Sequence, residues 1–260
     1  MSLSLKNKTV LITGASSGIG AACAKMFANA QANIILVARR ADKLQTLAAE
    51  LSALTSIYTL TLDVQNNTEV ETAINDLPAK WQAIDILINN AGLARGLEKI
   101  QEANIKDWEE MIDTNVKGLL YMSRAVLPGM LERESGHIIN IGSISGRGIY
   151  SGGVVYCATK HAVKAISEGL KIDCHGTPIR ITEVAPGLVE TDFSLVRYKG
   201  DSEKAQRVYS DTQPLSAEDV ADSVLYAATR PLHVNIQEIV IMPVVQSSVN
   251  LLQRGNLVNK

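Results

Sequence analysis

The chain alternates short, nearly continuous apolar runs with longer stretches in which apolar positions recur every three or four residues. The short runs, Thr9–Thr13, Asn33–Ala38, Ile57–Leu62, Ile84–Asn89, His137–Ile141, Arg180–Val184 and Glu238–Met242, are predicted strands. Their unbroken Val/Ile/Leu content is that of strands covered on both faces, as in a parallel sheet. The longer stretches predict helices over Gly18–Asn29, Asp42–Leu54, Asn67–Leu77, Ile105–Glu132, Val155–His175 and Ala217–Thr229. This succession predicts an α/β protein: a doubly wound parallel sheet of seven strands with helices on both faces. No repeat, low-complexity tract or Pro/Gly-rich linker interrupts it, so residues 1–260 are expected to form a single domain. The least regular part is Glu190–Pro214, too long for a simple connection and expected to serve as a substrate lid.

Charge narrows the classes of partner. The formal net charge is −2, from 25 basic and 27 acidic residues, which gives nucleic acid no attractive field. The hydrophobic share, 46%, is ordinary for a globular protein, and no run approaches the roughly 18 apolar residues of a membrane span. The start, MSLSLKNKTVLITG, has no signal-peptide core, so a cytoplasmic location is expected. Three cysteines without a Cys-x-x-Cys, and four scattered histidines, suggest neither a disulfide framework nor a metal site. Cys157 reads as a small buried filler on its helix.

The first strand runs into Gly14-Ala-Ser16-Ser17-Gly18-Ile19-Gly20 and then a helix. Gly14 allows a tight turn, Gly18 lets the backbone approach a pyrophosphate, and Gly20 permits close packing. The free N–H groups of the helix start favour phosphate. The strand–loop–helix setting is what gives this glycine pattern its meaning. At the end of the second strand, where an acid would hold the ribose 2′-hydroxyl of NAD, the chain carries Arg39 and Arg40. Guanidinium groups suit a 2′-phosphate, so NADP(H) is the expected cofactor. Asp42, the nearest acid, reads as the N-cap of the next helix. Asp63-Val64 closes the third strand and Asn89-Asn90-Ala91-Gly92 the fourth, both at carboxyl ends where such sheets bind ligands.

Tyr156 and Lys160 share one helix face. A free tyrosine, with pKa about 10, is a poor acid or base near neutrality. A lysine ammonium and a positively charged nicotinamide nearby are expected to lower it. Ser143, after the fifth strand, is placed to hydrogen-bond the substrate oxygen. Asn115, inside a helix, is expected to hold water and relay protons to Lys160.

On Thr13-Gly-Ala-Ser-Ser-Gly-Ile-Gly20, Asn89-Asn-Ala-Gly92, Asn115, Ser143, Tyr156-x-x-x-Lys160 and Pro186-Gly187, the chain resembles the classical short-chain dehydrogenases/reductases along essentially its whole length. The resemblance implies a Rossmann-type fold and a catalytic tetrad of Asn115, Ser143, Tyr156 and Lys160. It also implies that Lys160 binds the nicotinamide ribose, and that Pro186, Gly187, Val189 and Thr191 line the nicotinamide end. Homotetramers built through the helices of Asn115 and Tyr156 are implied as well. Towards the C-terminus, Phe193–Asp201, His233–Gln237 and Met242–Ser247 look like the NADP-dependent 3-hydroxy acid (serine) dehydrogenase branch; Ile112–Asn115 and Leu127–Met130 fit it too. That branch oxidises serine, allo-threonine or 3-hydroxyisobutyrate, or reduces the matching semialdehydes. A carboxylate substrate calls for a cation, for which Arg147, Arg197 and Lys199 are the candidates.

Other readings are weaker. The alternative within the same family is a 3-oxoacyl thioester reductase or a general ketone/aldehyde reductase; the former usually ends in a Val-Asp-Gly-Gly type segment, which this chain lacks. Gly142-Ser-Ile-Ser-Gly146 puts no serine at the centre of a G-x-S-x-G, against a serine hydrolase. A non-catalytic NADP-binding module would need neither Tyr156 nor Ser143.

Overall fold

Seven runs rich in Val, Ile, Leu and Thr form strands; the five inner ones are covered on both faces and the two at the sheet edges are partly exposed. The computed structural model describes residues 3–255; the two ends of the 1–260 span lie outside the described residues. The strands are β1 (Thr9–Thr13), β2 (Asn33–Ala38), β3 (Ile57–Thr61), β4 (Ile86–Asn89), β5 (His137–Ile141), β6 (Arg180–Pro186) and β7 (Glu238–Ile241). All pairings are parallel, in the order β3-β2-β1-β4-β5-β6-β7.

Alternation along each strand divides the core in two. Val10, Ile12, Ile34, Leu36, Ile88 and Ile139 face helices α1 (Gly18–Asn29), α2 (Ala41–Leu51) and α9 (Ala217–Ala228). Leu11, Ile35, Val37, Leu87 and Ile138 face α3 (Asn67–Asn75) and α5 (Leu119–Glu132) on the other side. α6 (Val154–Asp173) packs against β5 and β6. The strand order reverses between β1 and β4, and the carboxyl ends of these strands open a crevice there.

Three expectations are corrected by the structure. The run predicted as one helix, Ile105–Glu132, is α4 (Ile105–Ile112), a π-helical segment Asp113–Gly118, and α5. Asp42 is not a cap: Arg40 holds the N-cap position of α2 and Asp42 lies in its first turn, where a carboxylate still favours the helix dipole. The irregular stretch 190–214 contains two short helices, α7 (Phe193–Arg197) and α8 (Ser202–Tyr209), the second capped by Asp201 accepting from the Lys204 N–H.

Candidate active site

One cavity of about 670 Å³ opens over the carboxyl ends of the strands. Its wall includes Gly14, Ser16, Ser17, Gly18, Ile19, Arg39, Arg40, Asp63, Val64, Asn90, Ala91 and Gly92 at one end. At the other end stand Ser143, Tyr156, Lys160, Pro186, Gly187, Val189, Thr191 and Arg197. Gly20, Asn115, Arg147 and Lys199 are not part of the wall.

The glycine loop is locked from below. Gly14 has φ +65°, and an added Cβ would lie 2.8 Å from Asn90 Nδ2. A Cβ on Gly20 would collide with the Gly14 carbonyl oxygen, so the start of α1 and the loop are in direct backbone contact. Asn90 donates from Nδ2 to the carbonyls of Thr13 and Gly14, while Thr13 Oγ1 accepts from the N–H groups of Asn90 and Ala91. Asn90 therefore shapes the loop as well as lining the cavity. Thr13, which the motif reading left out as a site residue, holds both segments together.

The donor set suits a phosphorylated dinucleotide. Arg40 donates from Nη2 to Ser16 Oγ at 2.8 Å and to Ser17 Oγ at 2.9 Å, so a guanidinium already lies across the loop hydroxyls. Arg39 lies 3.6 Å from Asp63, with more than half its side chain exposed. Two cations, two serine hydroxyls and the N-terminal turn of α1 converge where no carboxylate stands at the end of β2. Such a set would hold an anion beside a ribose.

At the reacting end, Tyr156 and Lys160 are buried on α6. Lys160 Nζ donates to the Ile141 carbonyl at 2.9 Å and lies 6.0 Å from the Tyr156 ring centre. Burial pushes the Lys160 ammonium down to about 8, with the Glu183 carboxylate opposing. Burial also pushes the Tyr156 phenol well above its ordinary range; the Arg197 guanidinium opposes most, and the Ser143 hydroxyl also lowers it. Burial outweighs the groups that lower it, so the expected lowering of the phenol is not realised in the protein alone; Arg197, 5.0 Å from the ring centre, is a nearer cation than Lys160. Ser143 Oγ accepts from the Ser145 N–H at 3.1 Å and faces the Pro186 carbonyl.

Asn115 sits in the π-helical segment, a local distortion common at functional positions. Its Oδ1 accepts from the Leu93 N–H, and its Nδ2 donates to the Leu93 carbonyl and to Thr159 Oγ1. The amide is therefore engaged in clamping the loop after β4 to the residue before Lys160. A methyl group added at Gly92 would lie 3.2 Å from Asn115 Oδ1 and 3.7 Å from Lys160 Nζ, so the three converge.

The three candidate substrate cations part company. Arg147 forks onto Glu183 and also pairs with Glu238, tying β6 to β7 behind the site. Lys199 pairs with Asp107 at 2.8 Å. Arg197 alone faces the cavity, stacked near the rings of Tyr150, Tyr156 and Phe193 and donating to Tyr150 Oη at 2.6 Å. Its Nε is buried without a partner among the described residues. Tyr150, which also lines the cavity, belongs to no motif spacing; Gln246, a further wall residue, lies in the Met242–Ser247 segment that resembles the branch, but nothing in its spacing marks it as a site residue.

Residues 8–200 match the family described as short chain dehydrogenase. The NADP-dependent 3-hydroxy acid dehydrogenase YdfG of Escherichia coli (strain K12) is 49% identical over 243 residues, 93% of this chain and 97% of that protein. Sulfoacetaldehyde reductase 2 of Chromohalobacter salexigens is 44% identical over 239 residues, 92% of this chain and 95% of that protein. Among solved structures, the closed form of serine dehydrogenase complexed with NADP+ superposes with a TM-score of 0.90 at 48% identity, covering 95% of this chain and 100% of that one. With its all-parallel seven-stranded sheet, its glycine loop and these relatives, the chain belongs to the short chain dehydrogenase family.

Proposed function

We propose that this protein is an NADP(H)-dependent oxidoreductase acting on small 3-hydroxy acids such as serine, allo-threonine or 3-hydroxyisobutyrate, or on the matching semialdehydes. The observation that carries the substrate class is Arg197: a cavity-facing guanidinium beside Tyr156 that forms no ion pair with a carboxylate among the described residues. A substrate anion would complete its hydrogen bonds. The substrates named for the two curated relatives, a 3-hydroxy acid and sulfoacetaldehyde, both carry an anion one carbon removed from the reacting carbon. Arg147 and Lys199, committed to protein carboxylates, have no part in this reading.

NADP(H), when bound, supplies the hydride acceptor or donor. Arg39 and Arg40 would hold its 2′-phosphate, and the loop from Gly14 to Gly20 its pyrophosphate. Tyr156 Oη exchanges the proton with the substrate oxygen, and Ser143 Oγ hydrogen-bonds that oxygen. Lys160 would hold the nicotinamide ribose and, when protonated, adds positive charge near the phenol. Asn115 fixes Leu93 and Thr159, and with them the floor on which Lys160 stands. Residues 190–214 act as the lid of a single catalytic domain, with α7 delivering Arg197.

The working form is a homotetramer in the cytoplasm, with a small-molecule substrate and no nucleic-acid or membrane partner. Exposed apolar residues support the assembly: Ile105, Ile112 and Leu120 along α4 and α5, Val154 on α6, and Val240 with Met242 and Val244 at the β7 edge. Among the described residues no helix is long and apolar enough to cross a membrane. The test is a screen of NADP+ reduction over 3-hydroxy acids, neutral alcohols and 3-hydroxyacyl thioesters. Turnover highest on the short acids supports the reading; preference for the thioesters replaces it.

A further inference from the structure

Arg197 reads the substrate only if α7 is held in place, and five-residue helices do not hold themselves. Besides the bond from Arg197 to Tyr150 Oη, the contacts at its C-terminal end come from the loop after β4. Arg95 there donates from Nε and Nη2 to the two carboxylate oxygens of Glu110 on α4, at 2.7 and 2.8 Å. Its Nη1 donates to the carbonyl of Val196, at 2.5 Å. The next residue, Gly96, donates its N–H to the carbonyl of Arg197 itself at 3.0 Å. A single guanidinium thus joins α4, the β4 loop and the end of α7. Lys199, just beyond α7, makes a second tie to α4 through Asp107.

The Arg95–Glu110 fork is mostly covered, with 18% and 27% of the two side chains exposed, unlike the surface pairs elsewhere on the molecule. Its strength is visible in its electrostatics: Arg95 holds the Glu110 carboxyl below the usual range and is itself held above its own. A forked, partly buried pair fixes direction as well as distance. The same β4 loop is clamped at its other end by Asn115, through both backbone groups of Leu93. α4 and the π-helical segment that follows it therefore grip this short loop twice. One grip faces Lys160 and the other faces Arg197.

We propose that Arg95 is a positioning residue for substrate recognition: bridging Glu110 to the end of α7, it sets Arg197 over Tyr156 and thereby the selection of an anionic substrate. This rests on the reading of Arg197 as the partner of the substrate anion. Arg95 also lines the cavity, but each of its three guanidinium nitrogens donates to a protein group, one to Val196 and two to Glu110, so it acts through α7.

The experiment uses Arg95→Met, which keeps the bulk of the stem, and Glu110→Gln, which keeps the shape of the partner, alongside Arg197→Ala. Two readouts are taken on the full-length enzyme. The first is hydrogen exchange over residues 193–200. The second is KM and kcat for a short 3-hydroxy acid and for an uncharged alcohol of the same size, with NADP+ affinity as control. In Arg95→Met, exchange over 193–200 rises and KM for the acid increases about ten- to a hundredfold. KM for the neutral alcohol and NADP+ affinity change less than about twofold, and kcat on the alcohol falls by no more than about fivefold, the share that Arg197 contributes to Tyr156. Glu110→Gln shows the same pattern more weakly. Adding Arg95→Met to Arg197→Ala costs the acid nothing further, because both act through one contact.

Unchanged exchange over 193–200 in Arg95→Met overturns the clamp. Raised exchange with an unchanged KM for the acid overturns the positioning role, as does an equal loss on both substrates. If Arg197→Ala itself leaves KM for the acid unchanged, the anion-binding reading fails, and the exchange measurement still decides whether Arg95 holds α7.

Discussion

Replacing Arg197 by alanine separates two contributions of one guanidinium. It is the nearest cation to the Tyr156 ring, at 5.0 Å, and the strongest influence opposing the rise that burial imposes on the phenol. At that distance a unit charge pair is worth about 3 kcal/mol at an effective dielectric of about 20. Arg197 is only partly covered, so solvent screening leaves about 1 kcal/mol, or roughly fivefold in rate. That loss falls on every substrate, because it concerns the proton. The second contribution falls on acids alone: removing the partner of a desolvated anion costs about 2–5 kcal/mol, roughly 30- to several-thousand-fold in kcat/KM. The assay is NADP+-dependent oxidation of serine or 3-hydroxyisobutyrate, against an uncharged alcohol of the same size. The alcohol should lose about fivefold, mostly in kcat, and the acid at least a further thirtyfold, mostly in KM. Equal losses on both would refute the reasoning and leave Arg197 as a residue that merely orders the lid.

The remaining predictions concern charge and cofactor choice. Lys160 is pushed down to about 8 in the folded protein, below the roughly 10.4 of an unfolded lysine, so between about pH 8 and 10 the unfolded chain binds more protons. The Lys160 contribution to stability should therefore rise with pH across that window. Urea midpoints of the wild type should gain on those of Lys160→Met from pH 8 to 10, whereas a constant difference would contradict the shift. Arg39→Asp together with Arg40→Ser should lower kcat/KM for NADP+ by about a hundredfold and raise it for NAD+, since two cations near the 2′-position are lost and an acceptor is gained. Steady-state kinetics with each nucleotide check this, and an unchanged preference would remove both arginines from cofactor selection.

Strands were legible because each is nearly continuous in apolar residues: β1, β5 and β6 are buried throughout. Boundaries slipped where burial and pairing part. Ile84 is buried but precedes β4, and Pro186 still belongs to β6, at its end, where a proline is tolerated. The π-helical segment left no trace in the pattern of apolar positions, and the bond from the Leu93 N–H to Asn115 within it joins residues distant in sequence. α7 and α8 are too short to show a period. The glycine loop and the Tyr156/Lys160 pair were visible because their spacing is local. The substrate cation was not, because the partners that remove Arg147 and Lys199 from contention, Glu183 and Asp107, are distant in sequence. Arg95 escaped for the same reason: Val196, which it holds, lies 101 residues further along the chain.

The central claim is that Tyr156 performs the acid/base step of an NADP(H)-linked reaction on a 3-hydroxy acid. It is tested most directly by following nicotinamide absorbance with NADP+ and serine or 3-hydroxyisobutyrate, in the wild type and in Tyr156→Phe, with NADPH binding measured by calorimetry on both. Phe keeps the ring that packs 5.7 Å from Phe193 and removes only the hydroxyl. The account predicts steady NADPH formation by the wild type, a loss of about 10²–10⁴ or more in Tyr156→Phe, and NADPH affinity within about twofold in both. Comparable turnover by the two proteins, or no NADPH formation by the wild type on any short 3-hydroxy acid, would contradict it.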